Sequence, residues 1–211
     1  MNTEPSPLHL SPDLAAAIID HARAGWPQEV CGLVRGRQGR AIALHPARNI
    51  AADPRRDYEV APADLLVQFD WEDAGDALIA IYHSHPASPA YPSASDAWNA
   101  HYPDAVYLIC SLADYDRPTI AGFFLRPLAG EVDFAAVCAD LPCDETRPGR
   151  WGAYLPAGAA TPPSLAQIDR PAGLALYIVR QQGRTRVVTV QPLALEEAEQ
   201  TFPAQNVGSL P

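Results

Sequence analysis

The residues with most chemical capacity lie at Tyr82-His83-Ser84-His85-Pro86, followed by Pro92-Ser93-Ala94-Ser95-Asp96. On a strand, residues two apart point to the same face, so His83 and His85 can present their imidazoles side by side. Two neutral imidazoles and one carboxylate make a three-ligand zinc site with a fourth position left for water, which is the open arrangement a catalytic zinc needs. Asp96 can supply the carboxylate if the loop after His85 folds back and the next helix begins near Ser93. Each feature also has a plainer reading. A His-x-His pair can be two partly exposed histidines, and Ser93-x-x-Asp96 reads equally as a capping box at a helix start.

The elements that must position these residues follow from the hydrophobic pattern. Residues 77–83 (ALIAIYH) are apolar almost throughout, as in a central strand, and residues 93–101 suit a short helix. Upstream, Leu14, Ala17, Ile18 and Ala22 recur at helical spacing behind Ser11-Pro12, an N-cap and a proline at the first helical position. Residues 31–36 and 41–45 read as strands around a Gly- and Arg-rich turn, 49–58 as an exposed loop, and 62–71 as a second helix. Residues 105–111, 120–126 and 132–137 read as further strands. The order describes an α/β domain over residues 8–138, with a mixed β-sheet flanked by helices. From about residue 139 the texture changes, with Pro142, Pro148, Pro156, Pro162, Pro163 and Pro171 interrupting the chain. Residues 174–180 and 186–190 then read as a β-hairpin. A lone hairpin is not stable in water, so residues 139–211 are expected as a docked accessory extension rather than an independent domain, with a frayed last dozen residues.

Composition sets outer limits. The 211 residues are 48% apolar and 19% charged, an ordinary globular mix. A net charge of −10 argues against a nucleic-acid partner, because phosphate binding rests on basic side chains. No stretch approaches the ~18 apolar residues of a membrane span, and residues 1–7 show no signal-peptide pattern, so a soluble cytoplasmic protein is the default expectation. The cysteines Cys31, Cys110, Cys138 and Cys143 imply no disulfide framework, and Cys138 and Cys143 are read as idle thiols in preference to a pair. His9, His21 and His45 lack ligand spacing. Trp98 and His101 are read as packing residues, and Ser84, opposite the two histidines, as structural.

The pattern His-Ser-His-Pro, then Pro-Ser-x-x-Asp with ten residues between His85 and Asp96, resembles the signature of the JAMM (MPN-plus) metalloproteases. That family also places a glutamate far upstream, just before a Cys-Gly strand start, and Trp26-Pro27-Gln28-Glu29-Val30-Cys31-Gly32 is similar. The loop from Asn49 to Tyr58 resembles that of short bacterial members. The resemblance spans about residues 7–137 and implies a JAMM/MPN fold and one zinc per chain on His83, His85 and Asp96. It further implies Glu29 as the base that takes a proton from the attacking water, and Ser93 as a donor to the developing oxyanion. The implied partner is a ubiquitin-like or sulfur-carrier protein with a Gly-Gly tail, cut from a lysine side chain or from a free cysteine. Eukaryotic deubiquitinases of the family often carry a ubiquitin-gripping insertion after the aspartate. The segment from Asp96 to residue 105 is short, which implies a smaller recognition surface. A non-catalytic scaffold would typically lack a ligand, and all are present here. A peptidase acting on other peptides is the remaining alternative.

Overall fold

The computed structural model describes residues 6–197. In chain order the elements are β1 (Leu8–Leu10), α1 (Pro12–Gly25), β2 (Cys31–Arg37), β3 (Arg40–Ala47), α2 (Pro62–Leu65), α3 (Val67–Asp73), β4 (Ala77–His85) and α4 (Ala94–Trp98). They continue with β5 (Val106–Ser111), β6 (Thr119–Leu128), α5 (Phe134–Asp140), β7 (Cys143–Arg147), β8 (Arg150–Leu155), a 3-10 turn (Pro163–Leu165), β9 (Ala175–Gln181), β10 (Arg184–Leu193) and β11 (Leu195–Glu197). The strands form one mixed sheet in the order β11-β1-β3-β2-β4-β5-β6-β10-β9-β8-β7. This is the expected α/β architecture, a mixed sheet with a few flanking helices.

β4 lies between antiparallel β2 and parallel β5, with Cys31 and Ile109 flanking His83 in register. Its period-two alternation assigns two faces. Ala80 and Tyr82 join the core under α1, with Ile18, Ala22 and Leu108. Ile81 belongs to the opposite core, with Leu33, Tyr58, Trp71, Ala97 and Ile109. His83 and His85 share the parity of Ile81 and so face α4. α1 starts as anticipated: Pro12 is in its first turn and the Ser11 side chain accepts a hydrogen bond from the Leu14 N–H. Two tight hairpins, β2–β3 and β9–β10, turn on Gln-Gly pairs with positive φ at each residue, 50° and 74° at Gln38-Gly39 and 50° and 76° at Gln182-Gly183. Such turns match the strand twist, and glycine takes the second position without a steric penalty.

Beyond residue 123 the sheet continues. β10 lies antiparallel on β6, β9 on β10, β8 on β9 and β7 on β8. Only Ala194 separates β10 from β11, which pairs parallel with β1 at the other end of the sheet. One continuous stretch therefore joins the β6 and β1 edges. A third core, with Phe134, Val137, Leu155, Leu165, Ile178 and Val187, fills the C-terminal half.

Two expectations are corrected. The strand expected at 132–137 is helix α5, because Asp133 caps it through the Ala135 N–H and Phe134 and Val137 bury one turn apart. Cys138 and Cys143, read as idle thiols, are joined in a disulfide with Cα atoms 5.3 Å apart, within ordinary reach of such a bond. It ties the end of α5 to the start of β7. The expected frayed terminus lies outside the described residues. No described helix is long and apolar enough to cross a membrane.

Candidate metal centre

His83, His85 and Asp96 converge in a buried cluster. The Nε2 atoms of the two histidines lie 3.1 Å apart, His83 Nε2 is 3.1 Å from Asp96 Oδ1, and His85 Nε2 is 3.4 Å from Asp96 Oδ2. Zinc–ligand bonds of about 2.0–2.1 Å in tetrahedral geometry put neighbouring ligand atoms about 3.3 Å apart, so the spacing and the N,N,O donor set both suit that ion. His85 Nδ1 lies 2.9 Å from the Pro89 carbonyl oxygen, which can only accept, so that nitrogen keeps its proton and Nε2 is the atom that would offer a lone pair to a metal in exchange for its own proton. Tyr58 stacks on the His83 ring, with centroids 4.2 Å apart and planes 18° from parallel. His83 Nδ1 is buried without a hydrogen-bond partner among the described residues.

Asp96 sits where both readings of its sequence context can be met. It is the third residue of α4, and its Oδ2 accepts the Ser93 N–H at 2.6 Å while the Ser93 hydroxyl accepts the Asp96 N–H at 3.2 Å. The reciprocal cap fixes the carboxylate in place, and Oδ1 remains turned to His83. Burial alone would raise this carboxyl, but the two imidazoles hold it well below the usual carboxylate range. Burial likewise favours neutral histidines. It prevails at His83, whereas at His85 hydrogen bonding and charge from Asp96 prevail and lift the imidazole to about 9.

Glu29 is buried between α1 and β2. Its N–H donates to the Pro54 carbonyl, and its own carbonyl accepts from Asn49 Nδ2 at 2.9 Å. Burial, reinforced by the charge of Asp96, pushes its carboxyl up to about 8. Its neighbour Val30 is clamped to β4 twice: the Val30 N–H donates to Ser84 Oγ at 2.9 Å, and the Ser84 N–H donates to the Val30 carbonyl at 3.0 Å. Ser84, one residue from each histidine, thus fixes the Glu29 segment relative to them. The remaining histidines read as uninvolved stay outside the cluster: His9 pairs with Glu196, His21 with the Tyr82 hydroxyl and His45 with Asp64. Sequence reasoning missed Tyr58, which no spacing distinguishes, and Arg150, whose guanidinium reaches Ser95 and Asp57 from β8.

A buried pair of imidazoles and a carboxylate able to hold a metal, with a desolvated glutamate in the same electrostatic field, is the arrangement expected of a hydrolase of the JAMM class. Residues 11–123 match the model of the prokaryotic homologs of the JAB domain, and the chain belongs to that family. It is 43% identical over 113 residues to the desampylase of Haloferax volcanii, covering 50% of this chain and 81% of that protein. It is 35% identical over 119 residues to the CysO-cysteine peptidase of Mycobacterium tuberculosis, covering 53% and 77%. A solution structure of a Desulfitobacterium hafniense protein matches with a TM-score of 0.50 at 32% identity, over 55% of this chain and 82% of that one. The chain is accordingly a JAMM-type peptidase.

Proposed function

We propose that the chain is a zinc-dependent peptidase that hydrolyses the amide after the C-terminal Gly-Gly of a ubiquitin-like or sulfur-carrier protein, using His83, His85 and Asp96 as ligands of one zinc. The observation that carries this reading is the 3.1–3.4 Å spacing of three buried ligand atoms. Zinc held there would supply Lewis acidity and lower the pKa of a water at its open position. Glu29, as carboxylate, accepts the proton of the attacking water and delivers it to the leaving amine as the C–N bond breaks. The Ser93 hydroxyl spends a lone pair on the α4 cap, which leaves its hydrogen to donate to the carbonyl oxygen as negative charge develops there.

The two peptidase relatives support the substrate class, since one is named for cleaving CysO-cysteine and the other as a desampylase. A diglycine tail has no side chains and can lie extended in a groove that excludes bulkier peptides. The short segment between α4 and β5 favours a small carrier over a large ubiquitin-gripping surface. A mass-spectrometric assay on one carrier bearing either a Gly-Gly or an Ala-Ala tail, joined to cysteine or to lysine, tests the reading. Hydrolysis of the Gly-Gly form with slow or no cleavage of the Ala-Ala form is expected. Equal rates on both would replace this reading with a broader peptidase.

A further inference from the structure

We infer that Arg150, on β8 and outside the family-matching segment 11–123, is a positioning residue of the metal centre. The inference rests on the zinc reading above and adds a residue to it. Arg150 is buried, and its guanidinium spans three separate elements. Nε donates to Gln181 Oε1 on β9 at 2.7 Å, while Nη1 donates to Ser95 Oγ on α4 at 2.5 Å and lies 3.3 Å from Asp57 Oδ2. Ser95 directly precedes the ligand Asp96. Asp57 directly precedes Tyr58, whose ring stacks on the ligand His83. One cation therefore braces the residue before one ligand and the residue before the ring that stacks on another. A lysine, with a single point of charge, could not serve three acceptors in this fixed fork.

The rest of β8 supports the same face. Arg150, Gly152 and Tyr154 alternate to one side of the strand. A Cβ at Gly152 would stand 3.1 Å from Ala94 Cβ, and the Tyr154 hydroxyl lies 2.8 Å from that of Tyr91. The C-terminal strands thus form a wall against the segment that runs from His85 to Asp96.

Zinc affinity, measured on the full chain by competition with a chromophoric chelator, tests the inference, together with the visible spectrum of the cobalt-substituted protein. Arg150→Met should bind zinc ~10–100-fold more weakly, the usual effect of losing a group that orients metal ligands, and should alter the cobalt spectrum. Arg170→Met is the control. Arg170 holds the backbone carbonyls of Pro156, Ala159 and Leu174 within the extension, so its loss should lower the melting temperature and leave zinc affinity unchanged. Ser95→Ala, which removes one contact of Arg150, should weaken zinc binding in the same direction and decides the matter if Arg150→Met does not fold. Wild-type affinity and spectrum in Arg150→Met, or in Ser95→Ala where it decides, would overturn the inference. An equal loss in Arg170→Met would overturn it too, by assigning the effect to general docking of the extension. A wild-type protein that takes up no zinc would instead overturn the metal reading itself.

Discussion

Glu29 has the most exposed chemical consequence of any single residue. Glu29→Gln keeps the side chain's volume and removes its proton transfer, so the variant should retain its fold and zinc while turnover falls by ~10²–10⁴-fold. Turnover within a few-fold of wild type would place the base elsewhere. The same substitution has a signature in the metal-free protein. Glu29 rises from an ordinary 4.5 to about 8, first through burial and then through Asp96, so the native state holds its proton across that interval while the unfolded chain does not. A raised folded value contributes stability that is present below the unfolded value and is lost as pH rises through about 8. Metal-free wild type should therefore lose more melting temperature between pH 5 and 8.5 than metal-free Glu29→Gln. Parallel losses would show that Glu29 is not desolvated as the structure has it. For turnover the sign is opposite: the base must be a carboxylate, so the rate should rise with pH on the acid side, and a bound cation would favour the ionised form.

The short helix α4 carries both the capping box and the candidate ligand Asp96. Ser93→Ala removes the hydroxyl that accepts the Asp96 N–H and would donate to the oxyanion. Differential scanning calorimetry should show a loss of roughly 1 kcal/mol from the missing cap. Steady-state kinetics should show ~10²-fold or more loss in rate with zinc content retained. A stability loss with an unchanged rate would confine Ser93 to the cap. At this scale much was legible in the sequence. The His-x-His pair is visible because strand periodicity is two, and Ser93-x-x-Asp96 is visible because a cap has fixed spacing. The two readings of Asp96, ligand or cap, could not be separated in sequence because a carboxylate has two oxygens: Oδ2 accepts the cap N–H and Oδ1 stays turned to His83. β7 and β8 were not legible: Cys143–Arg147 is largely polar, and Arg150–Leu155 follows a Pro-Gly turn within a proline-rich stretch. β8 adds to β9 and β7 to β8, so their place follows from the neighbouring strand rather than from their own pattern. α5 was misread because Val132, Phe134 and Val137 suit a strand as well as a helix until Asp133 caps the turn.

For the whole molecule, the C-terminal strands extend the same sheet that carries the centre, and β10 and β11 lace its β6 and β1 edges. Removing them would uncover the pairing edge of β6 and take Ala175, Val179, Val188 and Val190 out of a shared core, and such edges invite aggregation. Limited proteolysis should therefore release no stable folded fragment from residue 141 onward. Recovery of such a fragment with a cooperative melt would make the extension an independent domain. All fifteen basic residues are arginine and the chain has no lysine. No side-chain amine in it can accept an isopeptide-linked modifier, so lysine-linked self-conjugation cannot obscure an assay of conjugate hydrolysis.

One zinc should sit on His83, His85 and Asp96, and metal stoichiometry tests this directly. Inductively coupled plasma mass spectrometry of wild type and His85→Ala, purified in parallel, should give about one zinc per chain in the first, as an open three-ligand site predicts, and little in the second. Full zinc in His85→Ala, or none in a folded, zinc-supplied wild type, would contradict the assignment.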